Sequence, residues 1–293
     1  MGSDTVDNGK VDQQKVLLAV LAHPDDETFG MGGTLAFYAR NGVLVHLVCA
    51  TRGEVGEMDE RLLEGFNSIG ERREYELRCA AETLGLAGVH FLDYRDSGMP
   101  GSPENKHPQA LVAQPVDEVA AKIRHYIRLL RPQVVITFDP IGGYRHPDHI
   151  SVHNATVKAF DESGDESIHD PQGLPAYRPQ KLYFHIIPHG WLRLGVRLMP
   201  LFGKNPREFG LNKDIDLVSI AEVEYPVHAR IDYSPVMKQR ADAVICHESQ
   251  GGSSLSRGPF GWLRRLFGAR EVFMRSYPPA EKDVCEADLF EGI

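Results

Sequence analysis

Cysteine is scarce in this sequence, with four residues among 293. Cys49, Cys79, Cys246 and Cys285 are widely separated, and no two of them form the C-x-x-C pair of a zinc knuckle or a dithiol redox motif. We therefore expect four reduced thiols and neither of those two kinds of site.

Long hydrophobic runs and an excess of positive charge are also missing. No stretch approaches the ~18 uninterrupted apolar residues of a membrane span. The first ten residues, MGSDTVDNGK, lack the basic and apolar regions of a secretory signal. Thirty-two basic against forty-one acidic residues give a net charge of −9, which disfavours nucleic acid and anionic lipid as partners. These absences predict a cytoplasmic protein with no membrane span and no nucleic-acid partner.

The remaining composition is that of a globular protein. Apolar residues make up 42% and charged residues 25%, which argues against disorder and coiled coil. The length favours one large domain with an elaborated C-terminal part. Residues 1–10 offer little apolar surface and are predicted to be a disordered leader. A single α/β domain is expected over residues 11–293.

Short apolar runs alternate with segments of helical periodicity along most of the chain. Residues 16–22 are apolar throughout, as in a strand that is buried on both faces of a parallel sheet. A helix is predicted over residues 30–40, followed by a stop at Asn41-Gly42. Further strands are predicted at residues 43–50, 89–92, 134–138, 182–187 and 226–232, and further helices at residues 77–84, 115–130 and 235–246. The alternation predicts a Rossmann-like, doubly wound α/β fold whose sheet is mostly parallel.

Histidine and aspartate follow two of these strands, at the edge of the sheet where α/β folds bind ligands. His23, Asp25 and Asp26 come after the first strand, and His146 and His149 after the fourth. Two or three imidazoles with a carboxylate form a common set of metal ligands. Each motif alone is also compatible with capping of a strand end or a helix start. Their recurrence after two strands favours a metal site.

These motifs, with others nearby, carry a resemblance to a known family. The matching segments are Ala22-His23-Pro24-Asp25-Asp26-Glu27, Gly30-x-Gly32-Gly33, Thr51-x-Gly53-Glu54, Arg73-x-x-Glu76, Leu84-Gly85 and His146-Pro147-Asp148-His149. Over roughly residues 16–160 the chain resembles the PIG-L/LmbE-like zinc-dependent N-deacetylases, with a weaker echo at residues 247–250. Residues 94–99, YRDSGM, are similar to the branch that handles mycothiol-type GlcNAc conjugates.

The resemblance implies one zinc ion per chain, held by His23, Asp26 and His149, with Asp25 as general base. Ligand type alone also permits Fe(II), and spacing alone does not choose between the two adjacent aspartates. Zinc lowers the pKa of a bound water toward ~7, so that hydroxide attacks an amide at neutral pH. The implied activity is removal of an N-acetyl group from a small molecule that contains GlcNAc.

Three further residues are implied near the reacting amide. His146 is the counterpart of the family's stabiliser of the tetrahedral oxyanion. Asp148 is expected to tune His146 or His149 as a hydrogen-bond acceptor. Tyr144 either assists at the oxyanion or packs under the loop at residues 142–143.

Two residues are candidates for substrate binding. Arg73 is expected to clamp a sugar hydroxyl or an anionic aglycone, and the alternative is a surface ion pair with Glu74 or Glu76. Asp96 is expected to bind sugar hydroxyls, and the alternative is a turn at the strand end. Glu27 is expected to anchor the start of the helix.

Several other functions fit parts of the pattern. An amidase that cleaves a mycothiol-like thiol conjugate would use the same metal site. A two-histidine, one-carboxylate iron oxygenase would share the ligands, and a non-catalytic carbohydrate-binding protein would share the scaffold but would not need Asp25 as a base. A nucleotide-binding dehydrogenase is disfavoured because residues 30–33, GMGG, do not match G-x-G-x-x-G.

The C-terminal part carries two segments with no family motif. Bulky apolar and basic residues mix at residues 191–207 and again at residues 257–270. We expect elements of a lid, or a contact between copies in a homo-oligomer, within residues 188–225 and 251–293. A membrane-surface role is less favoured because the chain is acidic.

Overall fold

The computed structural model of the chain describes residues 14–187, 189–209, 215–252, 269–281 and 284–293. The predicted leader at residues 1–10 lies outside these ranges, as does most of the segment 257–270.

Seven strands form one sheet in these ranges, in the order β3-β2-β1-β4-β5-β7-β6. The strands are β1 (Val16–Leu21), β2 (Leu44–Cys49), β3 (Gly88–Phe91), β4 (Val134–Phe138), β5 (Lys181–His185), β6 (Ala229–Asp232) and β7 (Arg270–Tyr277). The first five run parallel, and β7 is antiparallel to both β5 and β6. The prediction of a doubly wound, mostly parallel sheet is confirmed.

Eight α-helices connect and cover the sheet within the described ranges. They are α1 (Asp26–Arg40), α2 (Ile69–Leu84), α3 (Val116–Leu130), α4 (Gly142–Arg145), α5 (Pro147–Ser163), α6 (His189–Leu198), α7 (Leu217–Ala221) and α8 (Met237–Cys246). α3 packs against α5, whereas α8 packs against α1 and α2. Since β1 to β3 wind in one direction and β4 continues in the other, the two groups of helices cover opposite faces of the sheet.

The strongest sequence patterns gave the right elements. All six residues of β1 are buried, as the unbroken apolar run predicted. α3 begins after Pro115 and buries Val119, Ile123 and Ile127 along one face. α2 ends at Gly85, whose φ of 79° lies in the left-handed region that a residue with a Cβ rarely adopts.

Other boundaries differ from the prediction. α1 begins at Asp26 rather than at residue 30, and α2 begins at Ile69, where the Ser68 side chain accepts a hydrogen bond from the backbone N–H of Glu71. α5 begins at Pro147, so the His-Pro-Asp-His motif lies in the first turn of a helix. Proline suits that position because its missing N–H would have no partner there.

β7 was missed because its sequence, REVFMRSY, places charged residues among the apolar ones. One of them, Glu271, is buried. Its carboxylate accepts hydrogen bonds from the backbone N–H groups of Gly33 (3.1 Å) and Thr34 (2.7 Å) in α1. A charge that is satisfied in the interior by another element gives no periodic apolar signal.

The prediction of four thiols is wrong for one pair. Cys79 in α2 and Cys246 at the end of α8 form a disulfide, with their Cα atoms 5.8 Å apart and a sequence separation of 167 residues. Cys49 and Cys285 are free. Spacing along the sequence carried no sign of this pair because its proximity comes from the packing of α8 against α2.

The predicted lid or interface region at residues 188–225 contains α6 and α7. α6 packs against α7, and α7 packs against α4. The guanidinium of Arg145 donates to both the hydroxyl and the carbonyl of Ser219, which fastens this region beside the β4–α5 loop. A lid function stays a prediction. No helix in the described ranges has the length and apolar character needed to cross a membrane.

Candidate functional site

The candidate site lies where the winding of the sheet reverses, between the carboxyl ends of β1 and β4. His23 follows β1, Asp26 opens α1, and His149 lies in the first turn of α5. The two strands are neighbours in the sheet although their residues are far apart in sequence. Crevices of this kind are the usual ligand sites of open α/β sheets.

His23, Asp26 and His149 converge on one point. His23 Nδ1 lies 3.2 Å from His149 Nε2, and the Asp26 carboxylate lies 3.2 Å from His149 Nε2 and 3.6 Å from His23 Nδ1. Zinc ligands at about 2.0–2.1 Å in a tetrahedron stand about 3.3–3.4 Å apart. The three side chains therefore have the spacing of three corners around one metal ion.

The outer contacts of the two histidines decide which nitrogens face inward. His149 Nδ1 lies 3.2 Å from the carbonyl oxygen of Gly142, which can only accept, so we place the proton on Nδ1 and the lone pair on Nε2. His23 Nε2 lies 3.1 Å from a carboxylate oxygen of Asp148, so its lone pair is on Nδ1 by the same argument. Two lone pairs and a carboxylate that face one another need a cation between them.

The electrostatics of this point favour positive charge. Burial lowers the pKa of His23, but the charge of Asp96 and hydrogen bonds to Asp148 and Asp26 outweigh burial and raise it well above the usual value. Burial raises the pKa of Asp26, but His149 and His23 outweigh it and hold this pKa well below its usual range. The carboxylates therefore stay ionised around the histidines, which suits a divalent ion.

The side chain of Asp25 has a different partner from those of Asp26. Its carboxylate accepts a hydrogen bond from Arg73 Nη2 at 3.1 Å and caps no helical N–H group. Its backbone has a φ of 116°, in the left-handed region that costs a non-glycine residue energy, and such outliers cluster at functional sites. Burial raises the pKa of Asp25 to about 6, against the opposing charge of Arg73. A carboxylate with this pKa is suited to accept a proton near neutral pH.

Arg73 lies behind Asp25 rather than on the helix surface. Its side chain is 5% exposed, and it donates to the carbonyl oxygens of Gly53 (2.8 Å) and Pro24 (2.7 Å) as well as to Asp25. A Cβ at residue 53 would stand 2.1 Å from Arg73 Nη1, so this approach requires glycine. The alternative pairing with Glu76 does not form, because Glu76 pairs with Arg72. These contacts make Arg73 a positioning residue for Asp25, and its clamp role toward substrate stays a prediction.

His146 contributes a donor rather than a lone pair. Its Nδ1 accepts the backbone N–H of Asp148 at 3.2 Å, which caps α5. Burial, reinforced by the neighbouring His23 and His149, lowers the pKa of His146 to about 2, so the ring is neutral. The remaining proton is on Nε2. Although its ring nitrogen lies within 4.8 Å of those of His23 and His149, His146 is therefore better suited to donate a hydrogen bond than to bind the metal.

The carboxylate of Asp148 contacts a different histidine from the two that the sequence indicated, although its backbone N–H donates to His146. Its carboxylate is fully buried, lies against His23 Nε2 and accepts the N–H of Ser97 at 2.9 Å. It therefore orients His23, whereas the prediction assigned it to His146 or His149. Ser97 was missed, although it lies within the recognised segment of residues 94–99.

Asp96 and Tyr144 are both placed beside the histidines. The Asp96 carboxylate is buried 3.5 Å from His23 Nε2 and accepts the N–H of Gly98, as a turn residue does. Its role toward sugar hydroxyls stays a prediction. The ring of Tyr144 meets that of His149 edge to face at 4.9 Å. Burial and the charge of Asp26 raise the pKa of Tyr144, so its hydroxyl stays protonated and can donate.

In the sequence, His247 belongs only to the weaker part of the family resemblance, at residues 247–250. It is fully buried, and its Nε2 lies 2.7 Å from the carboxylate of Glu27. The other carboxylate oxygen of Glu27 accepts the backbone N–H of Asp25 at 2.9 Å. Glu27 thus anchors the start of α1, as expected, and connects it to the end of α8.

Comparison with known proteins agrees with this geometry. The family model for PIG-L, GlcNAc-PI de-N-acetylase, matches residues 18–160. A 1D-myo-inositol 2-acetamido-2-deoxy-α-D-glucopyranoside deacetylase from Acidothermus cellulolyticus is 36% identical over 292 residues, covering 94% of each chain. The similarity thus extends well beyond the histidine and aspartate motifs.

Two solved structures share the fold at low identity. An N,N'-diacetylchitobiose deacetylase from Pyrococcus horikoshii, complexed with an inhibitor, has a TM-score of 0.61 and 21% identity, over 90% of this chain and 84% of that one. A 4-carboxy-2-hydroxymuconate hydratase from Pseudomonas putida has a TM-score of 0.58 and 19% identity, over 92% and 100%. Because a deacetylase and a hydratase share this architecture, the fold alone does not define the reaction.

Proposed function

This chain belongs to the PIG-L family of GlcNAc-PI de-N-acetylases, and we propose that it is a metal-dependent hydrolase that removes the acetyl group from an acetamido sugar in a small molecule. The observation that carries the proposal is the convergence of His23 Nδ1 and His149 Nε2, 3.2 Å apart, with the Asp26 carboxylate 3.2 Å from His149 Nε2. Asp25, a separate buried carboxylate, lies next to this set. A carbohydrate-binding protein would not need that second carboxylate.

The relatives suggest the substrate. The protein from Acidothermus cellulolyticus is named for the deacetylation of 1D-myo-inositol 2-acetamido-2-deoxy-α-D-glucopyranoside. This chain is similar to it over nearly its whole length, including the C-terminal part where the sequence offered no motif. We infer that the substrate of this chain is a GlcNAc unit linked to a polyol.

His23, Asp26 and His149 would hold one divalent ion, and zinc is our proposal for it. The bound ion would supply Lewis-acid activation of water and of the amide carbonyl. His149 and His23 are kept in the correct tautomers by Gly142 and by Asp148. Outer partners of this kind orient metal ligands and increase their basicity.

The proton transfers are assigned to Asp25. With a pKa of about 6 its carboxylate is largely ionised at pH 7, and it takes a proton from the attacking water. The same group then returns the proton to the nitrogen of the leaving amine. Arg73 holds one carboxylate oxygen, Oδ2, throughout, which leaves Oδ1 for the proton.

His146 is assigned to the carbonyl oxygen of the amide. Its Nε2–H donates a hydrogen bond to this oxygen as negative charge develops there, and a neutral ring does so without reorganisation. Tyr144, whose ring packs against His149, is the second candidate donor. Both come from the β4–α5 loop, opposite the β1 loop that carries Asp25.

The proposal is tested by incubating the purified protein with this glycoside and measuring acetate and free amine. We expect acetate and free amine in equal amounts. A chelator should abolish their release, and added Zn²⁺ should restore it. Fe²⁺ added under anaerobic conditions is the comparison. A thiol-conjugate amide that is cleaved while no acetamido sugar is hydrolysed would replace the proposal with the amidase. Turnover that depends on O₂ would indicate an oxygenase, and full activity in metal-free protein would contradict the metal assignment.

A further inference from the structure

Asp25 is held from two sides by two different helices. Arg73, in α2, binds its carboxylate at 3.1 Å. Glu27 accepts its backbone N–H at 2.9 Å, and Glu27 in turn contacts His247, the residue that follows α8. The left-handed backbone of Asp25 is thus stabilised by a direct contact from α2 and, through Glu27, by a contact from the end of α8. Strained conformations of this kind persist only where their surroundings enforce them.

His247 has few polar contacts of its own. Its Nε2 bonds to Glu27, whereas its buried Nδ1 has no hydrogen-bond partner within the described part of the chain. The ring of Phe29 meets it edge to face at 5.7 Å. The position of the imidazole therefore depends strongly on the backbone that carries it.

That backbone is covalently attached to α2. Cys246 immediately precedes His247 and is bonded to Cys79, which lies in α2 six residues after Arg73. The disulfide therefore joins the helix that holds the carboxylate of Asp25 to the segment whose His247 contacts Glu27, the acceptor of the Asp25 N–H group. Ser249 adds a non-covalent connection, since its backbone N–H and its hydroxyl both donate to Glu76 in α2.

We propose that the Cys79–Cys246 disulfide keeps His247 on Glu27, and that its reduction by a dithiol lowers the turnover of the enzyme without releasing the metal or weakening substrate binding. His247 and Glu27 act through Asp25 and are positioning residues. The inference rests on the proposed hydrolase function. Both cysteines are only half-buried, so a small thiol can reach them.

The chemistry is a thiol–disulfide exchange. A thiolate of the dithiol attacks one sulfur of the disulfide, the S–S bond breaks, and a mixed disulfide forms with release of the other cysteine as a thiolate. The second thiol of the reductant then displaces the remaining cysteine. Two electrons and two protons pass to the protein, which gains two thiols, and the dithiol leaves as a cyclic disulfide.

The experiment compares the intact protein with the protein reduced by dithiothreitol, with thiols counted by mass spectrometry after alkylation. Reduction is expected to lower kcat about tenfold, with KM and metal content unchanged, because misplaced outer-shell groups cost rate in this range. Reoxidation should restore the rate. The double variant Cys79→Ser/Cys246→Ser should have the low kcat at the outset and should not respond, which also shows whether dithiothreitol acts by stripping metal. Cys285→Ser, at an exposed free thiol, should behave like the parent.

Two further variants keep the test decisive if the reduced protein loses stability. His247→Ala, with its disulfide intact, should lower kcat about tenfold, whereas His247→Gln should retain most of the rate because its amide can still donate to Glu27. An unchanged kcat in reduced, folded protein, or in His247→Ala, would overturn the inference. Absence of acetate release from the oxidised parent would instead overturn the proposed function.

Discussion

The parallel part of the sheet, β1 to β5, and its antiparallel margin, β6 and β7, contribute to this protein in different ways. β1 and β4 end in loops that carry the proposed metal ligands, the proposed base and the proposed oxyanion donor. β6 and β7 carry none of these, but Glu271 of β7 binds the backbone of α1, and Glu286, beyond β7, binds Lys181 of β5 at 2.7 Å. The residues proposed for the chemistry thus lie in the parallel part, and polar contacts from the antiparallel margin stabilise the elements beside them. Substitutions in the two regions should therefore differ in kind as well as in size.

The largest effect is expected for Asp26→Ala. Only two histidine ligands would remain, so the metal content should fall well below one ion per chain. The rate of acetate release should drop by at least about 10⁴-fold, because the source of the nucleophile is lost with the ion. Metal analysis of the variant beside its turnover is the measurement. Retention of both metal and rate would remove Asp26 from the ligand set.

Asp25→Asn should separate the base from the ligands. Asparagine cannot accept the proton, so kcat should fall ~10²–10⁴-fold, the usual contribution of general-base catalysis. The metal content should stay that of the parent, because no coordinating atom is changed. If Asp25→Asn loses the metal while Asp26→Ala keeps it, the roles of the two aspartates are reversed.

His146→Ala should lower kcat about 10²–10³-fold with little change in KM, because its donor acts mainly on the charge of the transition state. The metal should be retained, since the tautomer of His146 offers it no lone pair. His169→Ala, at an exposed histidine, is the matched control. Loss of metal in His146→Ala would show that this histidine is a ligand.

The pH dependence of kcat/KM should report the base. The pKa of Asp25 is raised to about 6, and only the deprotonated carboxylate accepts a proton, so activity should rise with pH and level off above about pH 7. At pH 5 it should be about tenfold below the plateau. Asp25→Asn should lose this acid limb from its residual activity. An identical limb in that variant would assign the titration to another group.

The smallest effect on turnover is expected for Glu271→Ala in the margin. It removes the acceptor of the N–H groups of Gly33 and Thr34, which should lower the free energy of unfolding by about 1–3 kcal/mol. Metal content and kcat should stay close to the parent values. Thermal and denaturant unfolding measure the free energy of unfolding. Glu222→Ala, at an exposed carboxylate, is the control. A large loss of kcat with unchanged stability would contradict the division between the regions.

The sequence predicted the site region well because its signals are local. β1 is an unbroken apolar run, α3 has clear helical spacing, and the histidines and aspartates directly follow strands. The family resemblance added the choice between the adjacent aspartates, and in the structure Asp25 and Asp26 have different partners.

The margin and the connections behind the site were not predictable in the same way. Glu271 and His247 are polar residues in the interior, and their partners lie more than two hundred residues away in sequence. The disulfide has the same character, since Cys79 and Cys246 become neighbours only when α8 packs on α2. Long-range polar contacts leave no periodic pattern, so these connections, and the strand β7 that makes one of them, were not found from the sequence.

The place of β7 inside the sheet has a consequence for how the chain is made. On the ribosome, β1 to β6 emerge before β7, yet β7 lies between β5 and β6. Until residue 277 is released, β6 has no partner in the sheet and β5 presents an open edge, which is a template for wrong pairing. The nascent chain therefore cannot complete its sheet in the order of synthesis, and a chain that stops before residue 270 would lack an interior strand of the sheet.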